Sequence, residues 1–379
     1  MKAYKTELAP NNKQQTMLRR CCGAARYIYN WGLAEWKAWY ERGDKPSRYK
    51  LCKHFNAVKD DICPWVRELP YAVTESAFAN LGLAFDNFFR RVKNGEEKAG
   101  YPKFKKRGRV NSFQLRGTKI KHDRVRLTGV GWVRLKERGY IPTEGTYGIY
   151  ATVSEIAGRW FISVLVKDNE EQPQNNGDKI IGVDFGLTHL AVCSDGTIFE
   201  NPAALRQALR RLSRLNRELS RRKKGGKNWV KTKRKLQRAH AKVANIRRHA
   251  LHQASYSLVF EKRPTLIVLE NLNVSGMMKN RHLARAISDV GFYEMRRQIE
   301  YKAAWAGTEI AIASRWFPSS KTCSNCGCVK DALSLGDRVF ICEHCGFEID
   351  RDLNAAMNLA AFGRNTAVKR TVDACGVEV

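Results

Sequence analysis

Two Cys-x-x-Cys knuckles near the C-terminal end constrain this chain more than any other feature. They are formed by Cys323, Cys326, Cys342 and Cys345. Zinc prefers four soft ligands in tetrahedral geometry, and two tight turns that each carry two thiolates can supply them. Each knuckle ends in a glycine, which can adopt the positive φ that such a turn needs. The pattern predicts a closed, structural Zn²⁺ site, with Cys328 and His344 as spare neighbouring ligands.

The charge balance indicates a polyanionic partner. The chain has 379 residues, enough for two or three domains, and carries 68 Lys and Arg against 37 Asp and Glu. A compact fold tolerates a net charge of +31 best when a polyanion neutralises it, so nucleic acid is the first candidate. No apolar run is long enough to span a bilayer and no apolar signal region is present, which predicts a cytoplasmic protein without a membrane partner. Cysteines outside the knuckles are expected to be reduced.

The first hundred residues read as mainly helical. A short strand is expected at residues 3–9. Apolar residues then recur at helical spacing over residues 11–40, which predicts a helix. A second helix is predicted to begin with Thr74 as its N-cap and to end near Gly95. Its aromatic residues are interpreted as a core seam, with stacking on bases as the alternative.

A basic segment and a set of strands follow. Residues 101–125 carry nine Lys or Arg against one Asp, which predicts contact with phosphates. Residues 125–167 favour a small β-barrel or sheet. The polar stretch at residues 168–178 contains Pro and Gly, as expected for a linker.

The second half alternates strands with a very basic hairpin. Apolar strands are predicted to end at Asp184 and at Glu270. Between them, residues 203–248 carry 18 Lys or Arg against one Glu and read as two helices with one apolar seam, which indicates a surface that lies along nucleic acid. A helix is predicted after Asp352, and the residues from Gly363 onward are expected to form a tail.

Three separated carboxylates, those of Asp184, Glu270 and Asp352, are the candidate catalytic residues. Glu270 follows an apolar run, where its charge would be costly without compensation, and Asp184 lies at a Gly-bounded turn. Mg²⁺ takes carboxylate and phosphate oxygens, and two such ions can activate water and stabilise the leaving oxygen of a phosphodiester. Structural N-caps or surface acids remain the alternative. Asp350 is the rival of Asp352, and we expect only one of them to face the site.

The ordered motifs resemble one known family. GVDFGLTHLAV, VLENL and CSNCG…CEHCG…DRDLNAAMNL together resemble the TnpB family of transposon-encoded RNA-guided nucleases, which are related to type V CRISPR effectors. AARYIYNWGL and FPSSKTCSNCG also resemble segments of that family, so the resemblance covers essentially the whole chain.

The resemblance implies a multidomain α+β and α/β fold with a ribonuclease H-like (RuvC) nuclease domain. The implied domains are a wedge-like β-barrel at 1–10 and 100–170, a helical recognition lobe at 11–98, a linker at 171–179, the nuclease domain at 180–322 and 349–379 with its basic hairpin at 203–250, and an inserted zinc ribbon at 323–348.

The resemblance also implies an activity. Asp184, Glu270 and Asp352 would be both catalytic and Mg²⁺-binding, because the second Asp of the family's D-R-D run is the catalytic one. Two Mg²⁺ ions are expected, with Mn²⁺ as a substitute. The implied partners are a guide RNA from the transposon end and a double-stranded DNA target beside a short motif that the protein reads, and a monomer is expected.

Three alternatives stand beside this hypothesis. A nuclease-inactive RNA-guided repressor would have lost the acids, which are present here. A conventional transposase typically uses the order Asp, Asp, Glu, whereas this chain has Asp, Glu, Asp. A basic structural protein of the ribosome would not need a separated acidic triad.

Overall fold

The computed structural model describes residues 2–108, 111–143, 149–166, 179–334 and 336–375, without the side chains of residues 149 and 366–375. The chain divides into two compact units, Met1–Asn169 and Glu170–Val379. The predicted linker lies outside the described residues except for Lys179. Within the described part, no helix is both long enough and apolar enough to cross a membrane.

The described residues of the first unit form a closed six-stranded β-barrel and three α-helices. The strands are β1 (Lys2–Ala9), β2 (Ser112–Ile120), β3 (Arg124–Leu127), β4 (Gly131–Leu135), β5 (Ile149–Ile156) and β6 (Arg159–Val166). They close in the order β1-β4-β3-β2-β5-β6. The helices are α1 (Asn12–Glu41), α2 (Arg48–Ile62) and α3 (Tyr71–Lys93), with a 3₁₀ turn at Pro64–Glu68. Side chains alternate along β6, so that Trp160, Ile162 and Val164 point into the core.

One prediction for this unit is wrong, and one helix was not predicted. Helix α3 begins at Tyr71, and Thr74 lies buried inside it, so Thr74 is not the N-cap. Pro70 precedes the helix with a φ of −57°, and proline suits a helix start because the first N–H groups have no intrahelical partner. Helix α2 was not predicted, and it buries only Leu51 and Phe55. The aromatic seam of α3 is buried at Phe78 and Phe85, as predicted, whereas Phe88 is half-buried and Phe89 is 51% exposed.

The second unit is built on a mixed five-stranded sheet. Its strands are β7 (Ile180–Asp184), β8 (His189–Cys193), β9 (Ile198–Glu200), β10 (Leu266–Leu269) and β11 (Glu309–Ile312), in the order β11-β10-β7-β8-β9. Strands β7, β8 and β9 pair antiparallel, whereas β10 pairs parallel to both β7 and β11. A separate hairpin joins β12 (Val339–Ile341) and β13 (Glu348–Asp350).

Helices cover both faces of this sheet. The helices described in this unit are α4 (Ala204–Ser220), α5 (Lys227–Tyr256), α6 (Val274–Met277), α7 (Ala284–Val290), α8 (Phe292–Ala306) and α9 (Arg351–Cys375), with a π-helical turn at Ser257–Glu261. Ile181 and Val183 pack with residues of α5 and α8 on one face, whereas Val268 packs with Leu359 of α9 on the other. The predicted tail from Gly363 is wrong, because α9 continues to Cys375. Helices α7 and α8 are separated at Gly291, whose φ is +78°.

Candidate active site and zinc ribbon

Two of the candidate acids lie side by side at one edge of the sheet. Asp184 is the last residue of β7 and Glu270 directly follows β10. The parallel register pairs Leu269 with Val183, so the next residues along each strand are neighbours. Successive side chains alternate between faces, and Asp184 and Glu270 therefore share the face of Gly182 and Val268, which α9 covers.

Helix α9 approaches this face because β7 has a glycine there. A Cβ at Gly182 would lie 2.1 Å from the carbonyl oxygen of Ala356 and 2.5 Å from the amide nitrogen of Ala360. Real Cβ atoms do not come so close, so any side chain at residue 182 would push the helix away. Asp352 lies one turn before Ala356 on the same side of α9, since residues four apart share a helix face. The close contact therefore brings Asp352 over the strand that carries Asp184.

The hydrogen bonds at the start of α9 distinguish Asp350 from Asp352. The Oδ1 atom of Asp350 accepts hydrogen bonds from the backbone N–H of Asp352 at 2.9 Å and of Leu353 at 3.0 Å. Asp350 is thus the N-cap of α9, and its carboxylate satisfies amides that would otherwise lack partners. Asp352 acts electrostatically on Asp184, which places it at the site. The structure brings Asp184, Glu270 and Asp352 together, and their catalytic role stays a prediction.

Asp184 has an unusual electrostatic environment. Burial raises the pKa of Asp184 well above its ordinary value. A hydrogen bond to Glu270 and the charge of Glu270 raise this pKa further, followed by the charge of Asp352. The charge of Arg351 acts in the opposite direction. Two further acids that raise the proton affinity of Asp184 make this a site suited to a cation, because a cation would relieve the repulsion.

The four knuckle cysteines converge as the sequence predicts. Their Sγ atoms all lie within 4.8 Å of one another. The Sγ atoms of Cys323 and Cys345 are 3.7 Å apart and those of Cys326 and Cys342 are 3.6 Å apart. Thiolates bound tetrahedrally to zinc at about 2.3 Å would be separated by roughly 3.8 Å, so the spacing fits this ion. The ligand set contains no water position, which suits a structural role.

Two asparagines connect the first knuckle to helix α9. The buried Asn354 accepts a hydrogen bond from the N–H of Ser324 at 2.9 Å and donates one to the carbonyl of Thr322 at 2.7 Å. Asn358 donates to the carbonyls of Thr322 at 2.6 Å and Ser319 at 2.8 Å. Since Asp352 lies on the same helix, the position of the knuckle affects the position of the acid. Sequence analysis missed these residues, although their spacing of four in NAAMN was a usable signal.

A small cavity adjoins Glu270. It has a volume of about 140 Å³ and is lined in part by Glu270, Ser314 and Arg315. The neighbouring Phe317 packs on Phe362, with ring centroids 5.1 Å apart. Trp316 is 87% exposed, so this loop presents an indole to solvent beside the site. Sequence analysis did not single out Trp316.

The basic hairpin formed by α4 and α5 keeps its positive charge on the outside. Leu212, Leu215 and Val243 form its buried apolar seam, whereas Ile246 is 37% exposed. Its single acid, Glu218, pairs with Arg222 and accepts a hydrogen bond from Thr232 at 2.9 Å. Because Glu218 pairs with residues of the hairpin itself, it does not neutralise the outer arginines of α4, which can contact phosphates. They include Arg210, Arg211, Arg214, Arg217 and Arg221.

The basic segment of the first unit is partly structural. The Nζ atom of Lys105 lies 3.8 Å from the ring centroid of Tyr29, and burial lowers the pKa of Lys105. The Arg124 guanidinium pairs with Asp123 at 2.8 Å. Lys103 and Lys106 are exposed. The expected phosphate contact therefore stays a prediction, and Lys103 and Lys106 fit it better than Lys105.

A cleft in the first unit combines arginines with tyrosines. It has a volume of about 760 Å³ and lies between α2, α3 and the strands β2 and β5. Arg116 pairs with Glu75 at 2.6 Å and stacks on Tyr150 at 4.7 Å. Arg48 stacks on Tyr49 at 4.6 Å, and Gln114 also lines the cleft.

Three family models match the chain. Residues 161–281 match one described as "Probable transposase", residues 292–359 match the Cas12f1-like TNB domain, and residues 1–45 match a helix-turn-helix domain. The chain is also 32% identical to InsQ of Escherichia coli K12, which is named as an RNA-guided DNA endonuclease. That similarity covers 99% of this chain and 94% of InsQ. The chain belongs to the TnpB family.

The chain is also similar to three further proteins. A protein of Streptomyces pristinaespiralis, also named as an RNA-guided DNA endonuclease, is 34% identical over 96% of this chain and 89% of its own length. The CRISPR-associated endodeoxyribonuclease Cas12f1 of Sulfoacidibacillus thermotolerans is 23% identical over 53% of this chain and 50% of its own length. A cryo-EM structure of a Cas12f1 complex with guide RNA and target DNA superposes with a TM-score of 0.36 and 16% identity, covering 95% of this chain and 98% of that chain.

The structure refines one of these family descriptions. Residues 1–45 of this TnpB chain match a helix-turn-helix model, yet the described residues there form strand β1 and the single helix α1. Asn11 caps α1 through a reciprocal pair of hydrogen bonds with Gln14, at 2.9 and 3.0 Å. The sequence correctly predicted one strand and one helix for this region.

Proposed function

We propose that this chain is an RNA-guided, divalent-metal-dependent endonuclease that cleaves both strands of DNA with one active site. The observation that carries the proposal is the convergence of Asp184, Glu270 and Asp352 on one face of the sheet. The strand order β9-β8-β7-β10-β11, antiparallel in its first three strands and parallel in the rest, supports a ribonuclease H-like (RuvC) fold.

The donor set fits Mg²⁺, with Mn²⁺ as a substitute. Carboxylate oxygens are hard ligands, and Mg²⁺ is commonly held by one or two carboxylates together with substrate phosphate oxygens. Burial and the charges of Glu270 and Asp352 raise the pKa of Asp184, and a bound cation would offset those charges. When bound, a pair of such ions supplies activation of water and stabilisation of the leaving oxygen. Asp184, Glu270 and Asp352 would hold the ions.

The surrounding chain prepares the site for an anionic substrate. Asp350 caps α9, which leaves Asp352 available at the first turn. The N-terminal end of a helix carries a partial positive charge, which favours phosphate and carboxylate groups near it. Arg351 contributes a positive charge close to Asp184.

Nucleic acid would be held by the outer arginines of the α4 and α5 hairpin. Binding through phosphates should weaken steeply with salt, because each neutralised phosphate of B-DNA adds about 0.9 to the slope of log binding constant against log salt concentration.

The cleft of the first unit is suited to reading a short DNA motif. Arginine pairs with guanine and glutamine with adenine in the major groove, and Arg48, Gln114 and Arg116 line the cleft.

The decisive experiment separates binding from cleavage. The chain is expressed with its flanking DNA, the bound RNA is sequenced, and the complex is tested on a matching DNA duplex. Asp184→Ala should lower the cleavage rate about 10³-fold or more, since the metals contribute several kcal/mol to transition-state stabilisation. Guided binding should be retained. Full cleavage by Asp184→Ala would refute the site, and a wild-type complex that binds without cleaving would favour the repressor.

Trp316 provides a second test, on how the strand reaches the site. Trp316 is exposed and lies in sequence between Arg315 and Phe317, which line the cavity at Glu270, so its indole can stack on a base of single-stranded DNA, and such stacking contributes about 1–3 kcal/mol. Trp316→Ala should therefore reduce cleavage of a pre-unwound target about tenfold, whereas Trp316→Phe should retain most of the rate. Equal rates for Trp316→Ala and wild type would exclude this contact.

A further inference from the structure

The zinc ribbon contains a second group of three metal ligands, two of which the four-cysteine site does not use. Ligand atoms of Cys326, Cys328 and His344 all lie within 4.8 Å of one another. Cys326 belongs both to this group and to the four-cysteine group. Cys326 and His344 are exposed and Cys328 is half-buried, so the second group lies on the outer side of the ribbon.

The knuckle backbone explains why these ligands meet. Gly327 has a φ of +78° and donates its N–H to the carbonyl of Cys323 at 2.9 Å, which reverses the chain. The N–H of Cys323 then donates to the carbonyl of Cys328 at 2.8 Å, which fixes Cys328 beside the first pair of thiols. His344 lies inside the second knuckle, whose turn is closed by the N–H of Gly346 on the carbonyl of Cys342 at 3.0 Å.

Chemistry favours a second cation at this point. A zinc ion with four thiolates carries a net charge of about −2, so another cation nearby is attracted rather than repelled. A thiolate bound to one metal keeps lone pairs and can bridge to a second metal. Two sulfurs and one imidazole nitrogen select zinc or a soft ion such as Cu(I), and they are poor ligands for Mg²⁺.

We propose that the ribbon binds a second soft or borderline metal ion through Cys328, His344 and a bridging Cys326. Water would complete a tetrahedral zinc ion there, because only three protein ligands are at hand among the described residues. The exposed position makes this ion exchangeable, whereas the four-cysteine ion stays bound. The proposal does not depend on guided cleavage.

Metal stoichiometry of the full-length protein tests the proposal. The protein is saturated with ZnCl₂, washed in buffer with or without a weak chelator, and analysed by inductively coupled plasma mass spectrometry. Wild type should hold two zinc ions per chain without chelator and one with it. Cys328→Ser and His344→Ala should each hold one zinc under both conditions. His282→Ala and Cys52→Ser are the controls for unrelated histidines and thiols, and both should match wild type.

X-ray absorption tests the bridge itself. Zinc-saturated wild type should show a zinc–zinc scattering path that is missing from His344→Ala. Three outcomes would overturn the proposal: one zinc per chain in saturated wild type, two zinc ions in Cys328→Ser, or loss of all zinc in either variant. The last outcome would mean that Cys328 and His344 are ligands of a single ion. Two zinc ions without a zinc–zinc path would refute the shared Cys326 thiolate.

Discussion

The zinc ribbon and the carboxylate site meet at one helix, but the chain specifies them in different ways. The ribbon takes its four ligands from two turns, and each turn is closed by its own backbone hydrogen bonds. The carboxylate site takes its acids from β7, from the end of β10 and from α9. Local turns place the first site, whereas the second needs strand register and a close helix contact. A substitution far from the acids can therefore disturb the second site without disturbing the first.

The largest expected effect separates the two aspartates at the start of α9. Asp352→Asn removes a proposed metal ligand and should lower the cleavage rate about 10³-fold or more. Asp350→Asn should stay within about threefold of wild type, because asparagine caps helices as well as aspartate does. Single-turnover cleavage with a bound guide measures both. A reversed order would exchange the roles of the two residues.

The next effect tests the close contact of α9 with β7. Gly182→Ala places a Cβ where the carbonyl of Ala356 lies, so α9 must move. Displacing a catalytic group by about 1 Å can cost about 10²-fold in rate, and overpacking a core costs about 1–3 kcal/mol of stability. Cleavage should therefore fall about 100-fold while the cysteine-bound zinc content is unchanged.

Gly23→Ala is the matched control for that substitution. Gly23 lies in α1, and a Cβ there would meet nothing within 4 Å. Alanine in a helix is more stable than glycine by up to about 1 kcal/mol, so this variant should be neutral or slightly stabilised. If Gly182→Ala behaves like Gly23→Ala, the close contact does not set the position of Asp352.

Particular residues show where sequence analysis succeeded and where it stopped. The knuckle ligands could be predicted, because their spacing alone brings them together. The acids could be named from strand ends and family motifs, but not the reason that they meet. Gly182 is an ordinary strand glycine in the sequence, and only the contact with Ala356 reveals its role. The N-cap at Asp350 and the start of α3 at Tyr71 also depend on hydrogen bonds and packing that spacing does not determine.

A smaller effect is expected where the two sites are joined. Asn354→Ala leaves the N–H of Ser324 and the carbonyl of Thr322 without their side-chain partner. Each lost partner of a buried group costs about 1–3 kcal/mol, so the melting temperature should fall and cleavage should drop about tenfold. Zinc should remain bound, because no ligand changes. Cys323→Ser removes a predicted zinc ligand, so in contrast to Asn354→Ala it should lose zinc as well as activity. Loss of zinc in Asn354→Ala would mean that α9 is needed to form the ribbon.

The smallest expected effect concerns stability in the absence of divalent metal. The folded state raises the pKa of Asp184, so between the unfolded and folded pKa values the folded state binds more protons. Stability of the metal-free protein should therefore fall as the pH rises through that window, and the loss should persist at neutral pH. Asp184→Asn removes this charge. Its melting temperature without metal should exceed that of wild type by about 2–4 °C at pH 7, the change expected for roughly 1 kcal/mol in a domain of about 150–250 residues. Adding Mg²⁺ should raise the melting temperature of wild type more than that of the variant, because bound ligand stabilises the folded state. Differential scanning calorimetry without Mg²⁺ measures the melting-temperature difference between the variant and wild type, and the same scans with Mg²⁺ measure how much the ion stabilises each protein. A variant less stable than wild type at neutral pH would show that the charge of Asp184 does not destabilise the metal-free protein. The carboxylate site would then not differ from the zinc ribbon in needing a bound cation to offset repulsion.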